Sequence, residues 1–385
     1  MIPYSRQLIN RQDIEAVKNV LKSDFLTQGD LNNKFEKKIS KKFGSKYTTT
    51  FSSGTSALHI ACLALGVKKN DMVWTCTNSF VASSNCALYC GASIDLIDID
   101  LENYNLSIDD LKLKLADAKK KKKLPKLVIP VHFAGLPCDM KKIYQLSKKF
   151  GFKILEDASH AVGAEYFGEK IGNCRYSDIT VFSFHPVKII TTAEGGAALT
   201  NNIKLENRLK LYKNHGITRN KKNLKNKNLP QWYYEQIDLG YNYRLNEIQS
   251  ALGLSQLTKL NKWIKFRRSV FSIYSKNLKN LPIILPKQTK NFKSSNHLYV
   301  IQILNFRNKT RDLLYIFLKK NGVEANLHYI PIHTHPFYKN KGFIETKFPN
   351  ANLYYKRCLS LPMHAGLKNK DLQKVIKLIK IFFKK

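Results

Sequence analysis

Short apolar runs alternate with amphipathic stretches along the first half of the chain. The runs are short enough for strands and are bounded by polar or glycine residues, and they lie at 47–51, 72–74, 93–97, 127–131, 153–155 and 179–182, with a further strand expected at 196–200. Between them, apolar residues recur at helical spacing over 55–65, 79–89, 108–116 and 140–150. This alternation predicts an α/β fold in which helices cover a mostly parallel sheet.

The segments before and after this alternating region have different patterns. Residues 12–22 and 31–43 predict two helices ahead of the alternating region, and the polar, aperiodic residues 218–232 predict a long exposed loop. We then expect one long amphipathic helix over 240–268, entered from a loop. A second alternation follows, with elements expected at 297–304 (strand), 310–322 (helix), 323–328 (strand) and 369–382 (helix). These patterns predict a large domain, residues 1–245, and a smaller C-terminal α/β domain, residues 246–385.

The chain is strongly basic. Its 385 residues include 65 Lys and Arg against 28 Asp and Glu, which gives a formal net charge of +37. A nucleic-acid partner is one interpretation, but lysine runs such as 119–123 and 221–222 are not interleaved with the aromatic residues that stack on bases. We therefore interpret the excess as a solvated lysine surface and expect no nucleic-acid partner. The positive field favours an anionic substrate such as a nucleotide sugar.

Nothing in the sequence indicates secretion, membrane insertion or a metal site. No stretch of about 18 uncharged apolar residues occurs, and the first residues lack a basic region followed by an apolar one. The seven cysteines are an odd number, form no CxxC pair and lie in apolar segments. This pattern predicts buried, reduced thiols rather than zinc ligands. We expect a cytoplasmic protein with no metal and no membrane partner.

Three polar patches fall where predicted strands end, at the edge where a parallel α/β sheet binds ligands. The first is SSGTSAL at 52–58, where Gly54 permits a tight turn and the following helix start offers backbone N–H groups to an anion. Ordinary helix capping by serine or threonine explains the same residues. The segment alone leaves both interpretations open.

The second patch places Asp157 directly after a predicted strand, with His160 three residues later. A carboxylate there can pair with a protonated heteroaromatic nitrogen, and an ordinary helix N-cap is the alternative role for Asp157. The third patch contains Lys188, which has apolar residues on both sides. Such surroundings lower the pKa of a lysine ammonium, as a Schiff-base lysine requires. A surface lysine with a buried stem is the alternative.

Together the patches have the layout of a pyridoxal 5′-phosphate site. The layout consists of a helix start that can bind a phosphate, a carboxylate after a strand, and a lysine 31 residues further on with a serine five residues before it. The chain resembles the fold-type I transferases, and specifically the DegT family of sugar aminotransferases. The resemblance runs over nearly the whole chain and rests on LTQG (26–29), SGTSAL (53–58), NSFVASSNCAL (78–88), EDASHAVG (156–163), SFHPVKIITTAEGG (183–196), GYNYRLNEIQSALGLSQL (240–257), SSNHLYVI (294–301) and HYIP (328–331). It implies a large, mostly parallel seven-stranded α/β/α domain.

The resemblance assigns roles to the residues of a cofactor site. Lys188 would hold the cofactor as a Schiff base and move the proton during transfer, and Asp157 would keep the pyridine nitrogen protonated. His160 stands where many relatives have glutamine, and either residue can hydrogen-bond the phenolic oxygen of the cofactor. Phe80 would stack on the ring, or serve only as a core aromatic. The phosphate would be bound by Gly54, Thr55, Ser183 and, from the neighbouring subunit, Asn242.

The resemblance also implies a UDP-sugar as amine acceptor, L-glutamate as donor, and a homodimer with shared active sites. The positions that match its nucleotide-sugar site are Tyr4, Leu26, Thr27, Ser183, Asn242, His328 and Tyr329. Arg244 is either an anchor for a diphosphate or for the glutamate carboxylate, or a structural ion pair with Glu247. Lysine rather than histidine at position 188 argues against the relatives that dehydrate sugars. The alternatives are a transaminase for another UDP- or dTDP-4-keto-6-deoxyhexose and a regulatory protein that binds the cofactor without turnover.

Overall fold

The computed structural model describes residues 1–220, 222, 224–225, 230–304 and 308–384. Its helices are α1 (Arg11–Leu21), α2 (Asp30–Phe43), α3 (Gly54–Ala64), α4 (Ala82–Tyr89), α5 (Ile108–Lys120), α6 (Met140–Phe150), α7 (Ile203–Tyr212), α8 (Glu247–Leu278), α9 (Arg311–Lys320), α10 (Pro336–Lys339), α11 (Pro349–Arg357) and α12 (Asn369–Lys384). Of the predicted loop at 218–232 and its lysine run, residues 221, 223 and 226–229 lie outside the described residues.

The fifteen strands of the described residues are all two to five residues long. They are β1 (Tyr47–Phe51), β2 (Met72–Cys76), β3 (Ser93–Ile97), β4 (Leu127–Ile129), β5 (Lys153–Asp157), β6 (Glu165–Tyr166), β7 (Glu169–Lys170), β8 (Ile179–Ser183), β9 (Gly196–Thr200), β10 (Ile217–Thr218), β11 (Glu235–Gln236), β12 (Ile283–Ile284), β13 (Phe292–Lys293), β14 (Tyr299–Ile303) and β15 (Cys358–Leu361). The seven predicted strands of the first half are all present, with ends that differ by at most two residues.

The central sheet has seven strands in the order β1-β9-β8-β5-β4-β2-β3. Strands β2, β3, β4, β5 and β8 pair in parallel. Strand β9 is reversed, because it pairs antiparallel with both β8 and β1. The prediction of a mostly parallel sheet is therefore confirmed.

Helices cover both faces of this sheet because its strands are apolar on both sides. Ile154 and Phe182 belong to one hydrophobic cluster, which also takes in residues of α2, α5 and α6. An adjacent residue in a strand faces the other way, so Leu155 and Val181 belong to a second cluster with residues of α3 and α4. The layers are helix, sheet and helix, as predicted.

A smaller core surrounds a three-stranded antiparallel sheet in the C-terminal region. Its strand order is β12-β14-β15, and α9, α12 and the C-terminal half of α8 pack on it through buried residues such as Leu314, Ile379 and Tyr274. The N-terminal half of α8 packs on the large core through Leu257 and Leu260. Helix α8 thus joins the two cores, and the domain division at 245/246 stays a prediction.

Two expectations for the later part of the chain are wrong. The long helix begins at Glu247 rather than 240, because the Asn246 side chain caps it by accepting a hydrogen bond from the Gln249 backbone, and it continues to Leu278. No strand forms at 323–328 in the described chain, where the backbone makes only isolated bridges. In the three-stranded sheet, β14 lies between β12 and β15, and β15 was not predicted from the sequence.

Candidate active site

An open cavity of about 640 Å³ lies where β1, β5 and β8 end and α3 begins. The carboxyl ends of parallel strands meet at this edge, as expected for a ligand site in an α/β sheet. Ten of the residues predicted from the sequence line it, namely Tyr4, Gly54, Thr55, Phe80, Asp157, His160, Ser183, Lys188, His328 and Tyr329. Leu26, Thr27 and Asn242 do not line it.

The start of α3 forms one wall of the cavity. Ser53 caps the helix: its Oγ accepts from the Ser56 backbone N–H at 3.0 Å, and its own N–H donates to Ser56 Oγ at 2.9 Å. Such a cap stabilises a helix by about 1 kcal/mol. A Cβ on Gly54 would lie 2.9 Å from Ser183 Cβ, so only glycine lets the two segments approach this closely. The capping interpretation is therefore right for Ser53, while Gly54 and Thr55 remain free to face an anion.

Asp157 is the last residue of β5 and is buried. Its Oδ2 accepts a 2.6 Å hydrogen bond from the Ser83 hydroxyl, and its Oδ1 accepts from the Ser159 backbone at 3.1 Å. No helix begins at this position in the described chain, so the N-cap alternative is wrong. The strand and the serine hold a carboxylate at the cavity wall.

His160 lies beside the same wall and is buried among aromatic rings. Its Nε2 is 2.9 Å from the Tyr329 hydroxyl, and its ring centroid is 4.3 Å from that of His297. Burial, with the nearby Lys188 and His328, lowers the pKa of His160 well below its ordinary value. The ring is therefore neutral at pH 7. Its Nδ1 has no hydrogen-bond partner among the described residues.

Lys188 extends from the loop after β8 and is half-buried at the cavity. Burial lowers the pKa of its ammonium from 10.5 to about 8, although the carboxylate of Asp157 favours the charged form. A lysine with a pKa near 8 can give up and regain a proton close to neutral pH. The alternative of a surface lysine with a buried stem does not describe Lys188, since its side chain lines a cavity that Asp157 also lines.

We expect this shift to be measurable in the cofactor-free protein. The rate of acylation of Lys188 should rise to half its maximum near pH 8, because the reactive species is the neutral amine and burial disfavours the ammonium. Competitive labelling with acetic anhydride, read peptide by peptide by mass spectrometry, gives this midpoint, with Nα-acetyl-lysine in the same mixture as reference. A midpoint equal to that of the reference compound would contradict the assignment.

The N-terminal segment and residues 326–330 form the opposite wall. Ser5 donates a 3.0 Å hydrogen bond to the carbonyl of Val187, which ties the N-terminal segment to the lysine loop. The rings of Tyr4 and His328 lie 5.7 Å apart, and His328 Nδ1 is 2.8 Å from the Ser360 hydroxyl. Burial is the main reason that the pKa of His328 falls to about 3, so this wall contributes neutral hydrogen-bonding groups.

Asn242, Leu26 and Thr27 share a different surface. All three are exposed, and the Leu26 carbonyl accepts from the backbone N–H of Glu247 at 3.0 Å, so the two segments are adjacent. Arg244 donates to Asn214, whereas the Glu247 carboxylate accepts from the backbones of Leu31 and Asn32. An Arg244–Glu247 ion pair is not found among the described residues, so that interpretation is wrong.

Two residues that contact the predicted site residues were given no role at the site from the sequence. The Ser83 hydroxyl donates a hydrogen bond to Asp157. His297, which lies two residues before β14 of the three-stranded sheet, packs against the ring of His160. Burial lowers the pKa of His297 well below its ordinary value, so this ring is neutral as well. Both residues lie in motifs that carry the family resemblance, and this was the only feature of the sequence that pointed to a role at the site. Nothing in their spacing showed what they contact.

The fold and the site together define a fold-type I transferase. The chain belongs to the DegT/DnrJ/EryC1/StrS aminotransferase family, whose model matches residues 7–380. It is 38% identical over 372 residues to a UDP-4-amino-4,6-dideoxy-N-acetyl-β-L-altrosamine transaminase from Campylobacter jejuni, a match that covers 96% of this chain and 94% of that protein. The protein is thus a sugar aminotransferase.

Solved structures agree with this family. PseC from Helicobacter pylori, described as an aminotransferase involved in the biosynthesis of pseudoaminic acid, superposes with a TM-score of 0.88 at 32% identity, over 100% of this chain and 99% of that one. The PMP form of the putative sugar aminotransferase Spr1654 from Streptococcus pneumoniae gives 0.91 at 27% identity, over 100% and 99%.

Three other features of the described residues concern membranes, metals and cysteines. None of their helices is both long and apolar enough to cross a membrane. They contain no group of three or more His, Cys, Asp or Glu side chains placed to hold a metal ion. All seven cysteines are free, and six of them are buried.

Proposed function

We propose that this protein transfers the amino group of L-glutamate to C4 of UDP-2-acetamido-2,6-dideoxy-β-L-arabino-hex-4-ulose, with pyridoxal 5′-phosphate as cofactor. The product would be UDP-4-amino-4,6-dideoxy-N-acetyl-β-L-altrosamine, in pseudaminic acid biosynthesis. The observation that carries the proposal is the meeting of Lys188, Asp157 and the start of α3 in one cavity. The similarity to a Campylobacter jejuni protein with the corresponding name supports the choice of sugar.

The side chains of the cavity fit this cofactor. A helix start with glycine at position 54 leaves room for a phosphate against Ser183. Asp157 is a buried carboxylate suited to a protonated ring nitrogen, and the unpartnered Nδ1 of His160 is a buried polar atom that a bound group can satisfy. When bound, the cofactor supplies an electron sink for charge that develops on the reacting carbon.

Lys188 is the group that we assign to proton transfer. With a pKa near 8 it holds a proton at neutral pH and can release it to the sugar C4 from one face. The Ser83 hydroxyl and the Ser159 backbone N–H donate to the Asp157 carboxylate and fix its position at the cavity wall. The Tyr329 hydroxyl fixes the orientation of the His160 ring through their 2.9 Å contact. Phe80, which is 59% exposed at the cavity mouth, would cover the ring after binding.

The amine acceptor would contact the wall formed by Tyr4, His328 and Tyr329, with Ser183 reaching both substrate and phosphate. These residues provide hydroxyl and neutral imidazole groups, which suit the polar edges of a hexose. The excess of positive charge in the chain favours approach of a doubly charged nucleotide sugar.

We also propose a homodimer in which each cavity is completed by the partner. Asn242, Leu26 and Thr27 are exposed, lie on adjacent segments and do not line their own cavity. A second copy of the chain would bring them to its neighbour, with Asn242 at the phosphate and Leu26 and Thr27 at the nucleotide sugar. Arg244 would then anchor the diphosphate or the donor carboxylate.

Mixed dimers test the shared site. Combining inactive Lys188→Ala with cofactor-poor Asn242→Ala should restore activity, because one hybrid cavity per heterodimer regains both groups. With equal amounts of the two variants and random exchange of subunits, about a quarter of all active sites in the mixture are intact, so about a quarter of the wild-type activity is expected. Activity is measured after subunit exchange, with heterodimer formation established by native mass spectrometry. No recovery in proven heterodimers would contradict the shared site.

The choice of sugar is tested with a pair of C5 epimers. We expect the L-arabino ketone to be aminated in preference to its D-xylo epimer by about 10²-fold or more, because buried polar groups of a fitted site stay unpaired with the wrong epimer. Product NMR should show a new 4-amino group in the L-altro configuration, and 2-oxoglutarate should accumulate in equal amount. Efficient amination of only the D-xylo ketone, or of a dTDP-4-keto-6-deoxyhexose, would establish the alternative substrate instead.

A further inference from the structure

A second cavity, of about 600 Å³, lies between the N-terminal segment and the beginning of α12. Residues 1–3 and 6–9 form one side of it, and His364, Gly366 and the first turns of α12 form the other. It shares no lining residue with the active cavity described above. Its volume is in the range of sites that hold small molecules.

The charged lining of this cavity is strongly basic. Arg6, Lys368, Lys370 and Lys374 face a single carboxylate, that of Asp371. In the part of the chain that the structure describes, none of these four basic side chains is within ion-pair distance of a carboxylate. The start of α12, a 16-residue helix, adds backbone N–H groups and the positive end of the helix dipole. The cavity therefore attracts anions.

His364 provides an independent sign of a missing partner. Its side chain is 4% exposed and lines the cavity, yet neither ring nitrogen has a hydrogen-bond partner among the described residues. Burial is the main reason that the pKa of His364 falls to about 4, and the charge of Arg267 adds to it. A neutral imidazole keeps one N–H donor. Leaving buried polar groups unpaired is costly, so such a group points to a ligand that pairs with it.

We propose that this cavity is a second binding site, specific for a small molecule that carries a diphosphate group. A diphosphate has about three negative charges at neutral pH, which matches four basic side chains offset by one carboxylate. Arg6 can bind phosphate oxygens in a bidentate manner, the lysines and the helix start supply further donors, and His364 donates from the buried end. This site is separate from the proposed transfer of an amino group and does not depend on it.

Isothermal titration of the full-length, cofactor-loaded protein with inorganic pyrophosphate at 0.15 M salt tests the proposal. The variant Lys370→Ala/Lys374→Ala should bind pyrophosphate about tenfold more weakly than wild type. The matched control is Lys377→Ala/Lys380→Ala, which removes the same charge from the same helix at positions that do not line the cavity, and it should bind like wild type. Equal weakening in both variants would reduce the effect to general lysine attraction and overturn the site.

Hydrogen exchange locates the bound anion. Pyrophosphate should protect backbone amides in peptides that cover 1–9 and 364–374. Protection confined to 53–56 and 183–188 would place the anion in the active cavity and overturn the proposal. Hydrogen exchange with UDP then distinguishes the source of the diphosphate, because it reads this cavity separately from the active cavity. Equal half-saturating concentrations of UDP and pyrophosphate for protection of 1–9 and 364–374 support recognition of the diphosphate alone. A lower half-saturating concentration of UDP supports a nucleotide.

Discussion

Replacement of Lys188 by alanine should lower amine transfer by at least about 10³-fold, while the protein still folds and binds the cofactor. The expected size follows from the loss of both the covalent attachment and the proton-transfer group. No other lysine lines the active cavity of the described chain, so no neighbour can substitute. Single-turnover measurements with L-glutamate give the rate, and the absorbance of the bound cofactor reports its retention.

Peptide mapping provides the control for this prediction. Borohydride reduction of the wild-type protein should attach the cofactor to Lys188, and the Lys188→Ala protein should give no labelled peptide. Lys204→Ala, a change at an exposed lysine of α7, should retain wild-type activity and labelling. Attachment to any lysine other than Lys188 would contradict the assignment.

The second large effect is expected for Asp157→Asn, which keeps the shape of the side chain and removes its charge. Transamination should fall by several orders of magnitude, because a neutral amide cannot stabilise a protonated ring nitrogen and the electron sink depends on that proton. The buried Asp157 receives hydrogen bonds from Ser83 and Ser159. An asparagine can keep both contacts, because its Oδ1 can accept from the Ser159 backbone while its Nδ2 donates to the Ser83 hydroxyl oxygen. The measurement is kcat with L-glutamate and keto sugar, alongside the absorbance spectrum of the bound cofactor.

Two further variants separate charge from position. Ser83→Ala keeps the carboxylate and removes one donor, so it should lower kcat far less than Asp157→Asn. Asp109→Asn removes a carboxylate that is 88% exposed on α5, and it should leave turnover unchanged. An Asp157→Asn enzyme with turnover near wild type would reject the role of Asp157.

The elements of the first half were predictable because local pattern and tertiary environment agree. Strands such as Ile179–Ser183 are buried along their whole length, so they appear in the sequence as continuous apolar runs. The final helix has a clear apolar stripe over its expected span. The predictions failed at the start of α8, which the side-chain cap of Asn246 decides. They also failed at β15, which is stabilised by pairing with the distant strand β14.

The chemistry of the site was predictable to a similar extent. Asp157 and Lys188 could be singled out because each has an unusual neighbourhood in the chain: one follows a buried strand, and the other lies among apolar residues. The partners of these residues were not visible, because Ser83 and Tyr329 are separated from Asp157 and His160 by 74 and 169 positions. Spacing along the chain carries no information about such contacts.

The sequence by itself determined the class of fold, the family and the residue types that carry the chemistry, because these depend on local periodicity and on motifs of adjacent residues. Only the tertiary structure decided which of those residues meet. It brought Tyr4 and Tyr329 from opposite parts of the chain to one cavity, and it left Asn242 on the outside. It also created the pKa of Lys188 and the basic cavity around His364, since burial and nearby charge arise only when distant segments pack together.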